Sequence, residues 1–124
     1  MRKESITGVL VDAHNARITR VKIPDTLESY YTALDCTTVD IVSRTIGGKR
    51  FEIVCDDEGL LKDEPKVSAV DMEGHAMLVG SLFVCNYGGN GELSSLTDAD
   101  VAHVLAHSCV LRKHGIAILT GVDY

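Results

Sequence analysis

Three side chains near the end of the sequence have the spacing of a small metal site. Asp100, His103 and His107 stand at i, i+3 and i+7, so a helix would present them on one side. Two histidines four residues apart can share one metal ion, as they do in zinc enzymes. However, Val104 stands where a zinc peptidase has its glutamate. The spacing therefore predicts either a partial metal site, as in a small metal-dependent hydrolase, or an ordinary polar helix face.

Two clusters of cations form a second set of candidates. Arg44, Lys49 and Arg50 surround one predicted turn, and Arg112 and Lys113 stand near the end of the last predicted helix. Their ordinary roles are to solvate a turn and to compensate a helix dipole. Together they could instead hold a phosphorylated ligand, because Arg and Lys donate several hydrogen bonds to phosphate. An oligomer that binds a small nucleotide ligand across its subunits is therefore an alternative hypothesis.

No motif pairs a nucleophile with a base. The glycine turn Gly88–Gly91 follows a predicted strand, but it lacks the lysine of a phosphate-binding loop. No serine has the context of a nucleophile elbow, and no Cys-x-x-Cys pair is present. The sequence therefore favours a protein that binds rather than catalyses, and it predicts no cofactor.

The composition is that of an ordinary globular protein. Of its 124 residues 45% are hydrophobic and 24% are charged, and the formal net charge is −6. That charge and the absence of tryptophan disfavour binding to nucleic acid. Met1–Ser5 lacks the apolar core of a signal peptide, no segment has the length of a membrane span, and the four cysteines stand apart like buried free thiols. We therefore predict a cytoplasmic protein without membrane association.

The first half of the chain alternates in the manner of antiparallel hairpins. Ile6–Asp12 and Arg17–Ile23 predict one hairpin, and Thr38–Arg44 with Arg50–Cys55 predicts a second. Between the hairpins, Leu27–Leu34 has apolar residues at helical spacing. We therefore expect two hairpins with a short helix packed on the sheet.

The second half is organised around one apolar strand. Met77–Cys85 carries no charge and predicts the central strand, and the glycine turn after it should end that strand. Thr97 then begins a helix as its N-cap, with Asp100 completing a capping box. The apolar spacing carries this helix to Leu111, with Gly115 as its stop.

These elements predict an α+β fold, with a mostly antiparallel sheet of five to six strands and two helices packed on one face. We expect a single domain over residues 1–124, made of a core over 1–115 and an apolar tail over 116–124. The tail is too apolar to lie free in solvent. It is therefore predicted to be an edge strand or a subunit contact, and the protein a possible homo-oligomer.

Several local motifs stand along the chain in a distinctive order. The first is an acidic turn with a glycine at Cys55–Leu60, and Pro65 and Gly74 follow it. The second is a strand with Gly-x-Leu-Phe at Leu78–Val84, and the third is a Ser-Leu-Thr helix cap at Ser95–Asp100. In this order they resemble a family of small proteins of unknown function encoded by phages, plasmids and conjugative elements of Gram-positive bacteria. The resemblance covers nearly the whole chain and ends after Arg112, where the apolar tail is extra.

The resemblance implies a setting but no mechanism for individual residues. Small proteins of mobile elements that lack catalytic motifs often act on host defence, by binding a defence protein or by sequestering a nucleotide immune signal. We therefore predict a non-enzymatic binding or regulatory accessory protein of a mobile genetic element, which acts as an anti-defence factor by binding a host or phage protein. The nucleotide sponge and the metal-dependent hydrolase stay as alternatives.

Overall fold

The N-terminal part of the chain folds as its alternating pattern predicts. In a computed structural model that describes residues 5–61 and 64–124, the first hairpin joins β1 (Ser5–Asp12) to β2 (Arg17–Pro24) in antiparallel register. Residues 1–4, on which the prediction about a signal peptide partly depends, lie outside the described residues.

A short helix, α1 (Leu27–Leu34), follows the hairpin. Its N-cap is Thr26, whose hydroxyl accepts a hydrogen bond from a backbone N–H of the first turn at 3.2 Å. Tyr30 and Leu34 stand four residues apart and are both buried. The Tyr30 hydroxyl donates to the Asp25 carboxylate at 2.8 Å, so the polar end of this core side chain also has a partner.

The second hairpin joins β3 (Val39–Ile46) to β4 (Lys49–Asp56). Gly47 and Gly48 form its turn with φ values of 56° and 82°. A two-residue turn of type I′ needs positive φ at both positions, which explains why the sequence has glycine at each. After β4, the backbone makes a 3-10 turn over Gly59–Leu61.

The predicted central strand is in fact two strands. β6 (Ala76–Val79) pairs with β5 (Val67–Val70), whereas β7 (Leu82–Gly89) pairs with β1 and β4. Between β6 and β7, Gly80 has a φ of 89°, which bends the chain from one sheet into another. The prediction of one strand over Met77–Cys85 was therefore wrong in its extent, although β7 does lie in the middle of its sheet.

The glycine-rich segment continues β7 instead of ending it. The strand runs to Gly89, and Asn90–Gly91 then turns the chain into β8 (Glu92–Ser94). A Cβ atom at Gly88 would lie 3.1 Å from the Cβ of Ser94 on the neighbouring strand. Glycine at position 88 therefore allows two neighbouring strands to approach closely, whereas a turn was predicted there.

The second helix, α2 (Asp98–Ala106), begins where the sequence predicts. Thr97 and Asp100 form the complete capping box, with distances of 3.1 and 3.2 Å. The helix ends at Ala106, well before the predicted Leu111, because the following residues pair as a strand. The remaining elements are a strand, a 3-10 turn and two further strands, which are β9 (Ser108–Leu111), Arg112–His114, β10 (Ile116–Leu119) and β11 (Val122–Asp123).

The strands of residues 5–61 and 64–124 form two sheets. The first sheet has seven strands in the order β11-β3-β4-β7-β1-β2, with β8 paired to β7, and the second sheet has the order β6-β5-β10-β9. In the described part of the chain, all strand pairs are antiparallel except β5 with β10. The predicted α+β class with a mostly antiparallel sheet is confirmed. The first sheet is larger than the five to six strands expected, and the second sheet was not predicted.

The two helices lie on opposite faces of the first sheet. Tyr30 and Leu34 of α1 pack in a core cluster with Phe83, whereas Val101 and Val104 of α2 pack in the other cluster, on which the second sheet also lies. The prediction of both helices on one face was therefore wrong, because β7 has buried side chains on both faces. Neither of these α-helices of the described ranges is long and apolar enough to cross a membrane.

At two places in the described chain, a bent pair of consecutive strands runs from one sheet into the other. The first is β6 with β7, bent at Gly80, and the second is β10 with β11, bent at Gly121 with a φ of 65°. At the second bend, the Gly47 N–H donates to the Gly121 carbonyl at 3.0 Å. Such bends make the corners of packed sheets, so the two sheets enclose one apolar core between them.

Candidate functional site

Asp100, the first residue of the predicted metal site, is the centre of a buried hydrogen-bond network. Its carboxylate accepts from the Asn86 amide at 2.8 Å, from the Thr97 N–H at 3.2 Å and from the Lys49 ammonium. The hydrogen bond from Lys49 is the main reason that the pKa of Asp100 lies well below its ordinary value. The carboxylate is ionised and fully engaged in joining α2 to β4 and β7.

The two histidines of the predicted metal site have their rings in tilted contact, and each bonds a backbone carbonyl. Nε2 of His103 donates to the Ile46 carbonyl at 2.7 Å, and Nδ1 of His107 donates to the His103 carbonyl at 2.8 Å. Their ring centroids are 4.6 Å apart. Over residues 5–61 and 64–124, no group of three or more His, Cys, Asp or Glu side chains is arranged to hold a metal ion. The structure brings the two histidines together but turns Asp100 toward Lys49.

The cations around the β3–β4 turn are engaged within the protein. Lys49 bonds Asp100, Arg50 donates to the Ser43 hydroxyl at 3.0 Å, and Arg44 lies over the ring of Tyr124 with 4.9 Å to its centroid. Side chains of neighbouring residues in a strand alternate between its faces, so Lys49 and Arg50 project to opposite sides of the first sheet. The three therefore do not form one cationic surface.

Arg112 and Lys113 lie far from the first cluster along the second sheet. They precede β10, whereas the β3–β4 turn contacts the chain after β10, at Gly121. Both side chains are exposed, and Lys66 and His114 lie near them at the same end of the sheet. The structure thus keeps the two predicted basic clusters at opposite ends of β10 within one chain.

The four cysteines fall into two classes by burial. Burial raises the pKa of Cys55 to about 11 and that of Cys85 to about 12. A raised pKa removes the thiolate, which is the reactive form. Cys36 and Cys109 are partly exposed. The buried pair therefore consists of inert core residues, as the sequence predicts for cysteines with apolar neighbours.

The second sheet has one surface that the sequence analysis did not identify. Ala117 and Leu119 of β10 point into the core, so Ile116 and Ile118 point away from it. Val67 and Val70 of β5 line the same hollow of about 420 Å³ as these isoleucines, and β9 places Cys109 and Leu111 opposite them. We call this surface, made of Val67, Val70, Cys109, Leu111, Ile116 and Ile118, the outer face.

The outer face is apolar but remains accessible. Leu111 is 47% exposed and Val67 is 41% exposed, and the other four side chains of the outer face are partly exposed. The hollow lies where β5 and β10 diverge, since these parallel strands are in register only at Leu119 and Ala69. The run Ile116–Leu119 is apolar at every position, which is typical of a strand covered on both faces. That pattern is the signal by which the sequence could have indicated a second contact surface.

Comparison with known proteins identifies a family but no function. A protein-family model described as "Domain of unknown function (DUF3846)" matches residues 6–108. No curated protein and no solved structure matches the chain. The sequence-based expectation of an uncharacterised family is thereby confirmed. The matched range contains β5 and α2, whereas most of β9 and all of β10 come after it.

Proposed function

The chain belongs to the DUF3846 family, and from that premise we propose that it is a non-enzymatic accessory protein of a mobile genetic element, which acts in the cytoplasm by binding a protein of host defence. The observation that carries this proposal is the outer face. An apolar surface of this kind, bordered by charged residues, is typical of a protein-binding site.

The energetics of the outer face support binding. Leaving Ile116, Ile118 and Leu111 partly in water forgoes stabilisation, since complete burial of one such side chain contributes about 1.5–3 kcal/mol. A partner with a complementary apolar surface would recover part of that free energy on binding. Protein interfaces concentrate their affinity in a few central side chains of this kind.

The polar residues that could have carried a reaction also support a binding role. Asp100, His103 and His107 are engaged in hydrogen bonds that hold α2 to the first sheet and shape its end. Lys49 and Arg50 are engaged in the same way around the β3–β4 turn. In contrast, the outer face consists of side chains that take no part in these hydrogen bonds.

The test is an assay of phage plating and plasmid transfer in bacterial hosts that each carry one defined defence system. We expect expression of the protein to raise establishment of the phage or plasmid in at least one of these hosts. Leu111→Asp should reduce that effect at least tenfold, because a buried aspartate at the centre of the contact costs more than about 1.4 kcal/mol of binding.

Leu27→Asp is the matched control, because Leu27 is a leucine of α1 that is 57% exposed and lies outside the outer face. It should retain the full effect. An absence of any effect across the hosts would contradict the anti-defence role. Full activity of Leu111→Asp, with its fold confirmed by circular dichroism, would show that the outer face is not the binding surface.

A further inference from the structure

The second sheet has opposite charges at its two ends. Because β5 and β10 run parallel, the residues that precede both strands lie at one end and those that follow both lie at the other. The first end carries the cations Lys66, Arg112, Lys113 and His114. The other end carries three carboxylates, Asp71, Glu73 and Asp123, which line one shared hollow. The cations at this end are engaged within the chain, since Arg44 and Arg50 contact Tyr124 and His75 bonds to Asp71. The outer face thus has an apolar centre, a basic end and an acidic end.

This arrangement is complementary to itself. A two-fold axis that lies between two facing sheets and runs perpendicular to β10 turns one copy over onto the other and exchanges its ends, so each basic end is set against an acidic end. The apolar centres then meet in the middle, as the inner faces of two packed sheets do. If the charges of the outer face all had one sign, two copies would repel each other at this surface. The net charge of −6 on each chain would add to that repulsion.

We infer that the outer face is the contact between two copies of this chain related by a two-fold axis. This inference rests on the proposed function, since it names what occupies the binding surface in the absence of a partner. Self-association would cover the outer face and keep its aliphatic side chains out of water. A defence protein would then have to compete with the second copy, so binding of the partner would be coupled to dissociation of the dimer.

Sedimentation equilibrium of the full chain over a range of concentrations tests the inference. We expect a dimer that dissociates on dilution and at high salt, because part of the contact is electrostatic. Leu111→Asp should be monomeric, and the control Leu27→Asp should stay dimeric. Both leucines are exposed in the single chain, so neither substitution disturbs the core.

A charge exchange tests the predicted orientation of the two copies. Lys113 and Glu73 are both exposed and lie at opposite ends of the second sheet. Lys113→Glu and Glu73→Lys should each raise the dissociation constant of the dimer by about tenfold, since each places like charges in contact. The double variant should recover the dimer, because the two-fold arrangement sets residue 113 of one copy near residue 73 of the other.

Cys109 provides an independent readout. It lies on the outer face, whereas Cys36 lies after α1 on the other side of the first sheet. As protein concentration rises, the rate at which Cys109 reacts with a thiol reagent should fall, and the rate at Cys36 should stay constant. Equal rates at all concentrations would contradict burial of the outer face.

Two results would overturn the inference. One is a wild-type protein that remains monomeric up to about 0.1 mM, since a functional contact should form at that concentration. The other is a double charge variant that stays as weak as its single variants. A monomer whose effect in the host is removed by Leu111→Asp would leave the proposed function intact and assign the face to a different protein. A dimer without effect in any host would support this inference and contradict the proposed function.

Discussion

At the scale of single residues, Asp100 shows how a side chain with catalytic chemistry can be structural. It links α2 to two strands of the first sheet through Lys49 and Asn86. Only 4% of its side chain is exposed, so water cannot replace a lost partner. We expect Asp100→Asn to lower the free energy of unfolding by about 1–3 kcal/mol, measured by urea denaturation at neutral pH. No change would mean that the network does not stabilise the fold.

The same residue predicts how stability depends on pH. Because the pKa of Asp100 is lower in the folded protein than in the unfolded chain, its contribution is complete above about pH 4 and is lost as pH falls below that value. Between pH 6 and pH 3 the wild type should therefore lose more stability than Asp100→Asn does. Urea midpoints of both proteins at these pH values measure the difference, and equal slopes would contradict it.

The cysteines give a second prediction for individual side chains. In dilute native protein, Cys36 and Cys109 should react with a thiol reagent, and Cys55 and Cys85 should react only after unfolding. Burial raises the pKa of the latter pair to about 11 and about 12, so almost no thiolate is present at pH 8. Mass spectrometry of labelled peptides distinguishes the four sites. Early labelling of Cys85 would show that β7 is not the buried strand described above.

The sequence predicts contacts that are local in the chain and misses those that are not. The capping box of Thr97 and Asp100 is predictable because the two residues are three apart and the motif depends on their types alone. Lys49 is 51 residues from Asp100, and no local pattern connects them. For this reason the metal site was a reasonable hypothesis from spacing, although the Asp100 carboxylate has a different partner.

At the scale of elements, Gly121 is the residue on which the bend between β10 and β11 depends. Its φ of 65° is in the left-handed region, and a Cβ there would have only ordinary contacts, none closer than 3.6 Å. Backbone strain is therefore the main cost of substitution. We expect Gly121→Val to destabilise the protein by about 1–3 kcal/mol, and Gly121→Asn by less, because asparagine adopts this region more readily. Thermal unfolding compares the two, and equal losses would contradict the role of strain.

The elements that were predicted correctly are those whose signals agree. Both N-terminal hairpins combine alternation with a short turn, and their strands form over nearly the expected ranges. The errors occur where a signal fits two structures. The apolar spacing after Ala106 fits a helix, but pairing with β10 stabilises Ser108–Leu111 more than a continued helix would. Likewise, Gly80 inside an apolar run permits a bend but does not require one. Whether the chain bends there depends on the packing of the two sheets.

At the scale of the whole molecule, the residues predicted to be a tail complete both sheets. Ile116–Leu119 lies between β5 and β9, and Val122 pairs at the edge of the first sheet. Leu119 and Val122 are completely buried. We expect a protein truncated to residues 1–115 to lose its cooperative unfolding transition, since these two side chains alone contribute about 3–6 kcal/mol of a total near 5–15 kcal/mol.

Circular dichroism during thermal unfolding measures this effect, and removal of Tyr124 alone is the control. Tyr124 is 77% exposed, so its loss should change stability by less than about 1 kcal/mol. A cooperative transition in the 1–115 protein would contradict the structural role of the two strands. Because truncation removes part of the core, Leu111→Asp is the better probe of self-association.

The location of the outer face could not have been derived from the sequence. Its side chains come from β5, β9 and β10, and the gap between β5 and β10 exists only because these strands diverge from a single pair in register. Composition identified Ile116–Leu119 as unusually apolar, which indicated a contact without locating it. The ends of opposite charge likewise follow from the parallel direction of β5 and β10, which is a property of topology.

The return of the chain through both sheets also constrains when the protein can fold during its synthesis. Residues 116–123 provide an internal strand of the second sheet and an edge strand of the first, so neither sheet is complete while these residues are still inside the ribosome. Until residues 116–123 emerge, β1 and β7 of the nascent chain are therefore only partly covered by other strands. During that interval, chaperones have access to those unfinished strands.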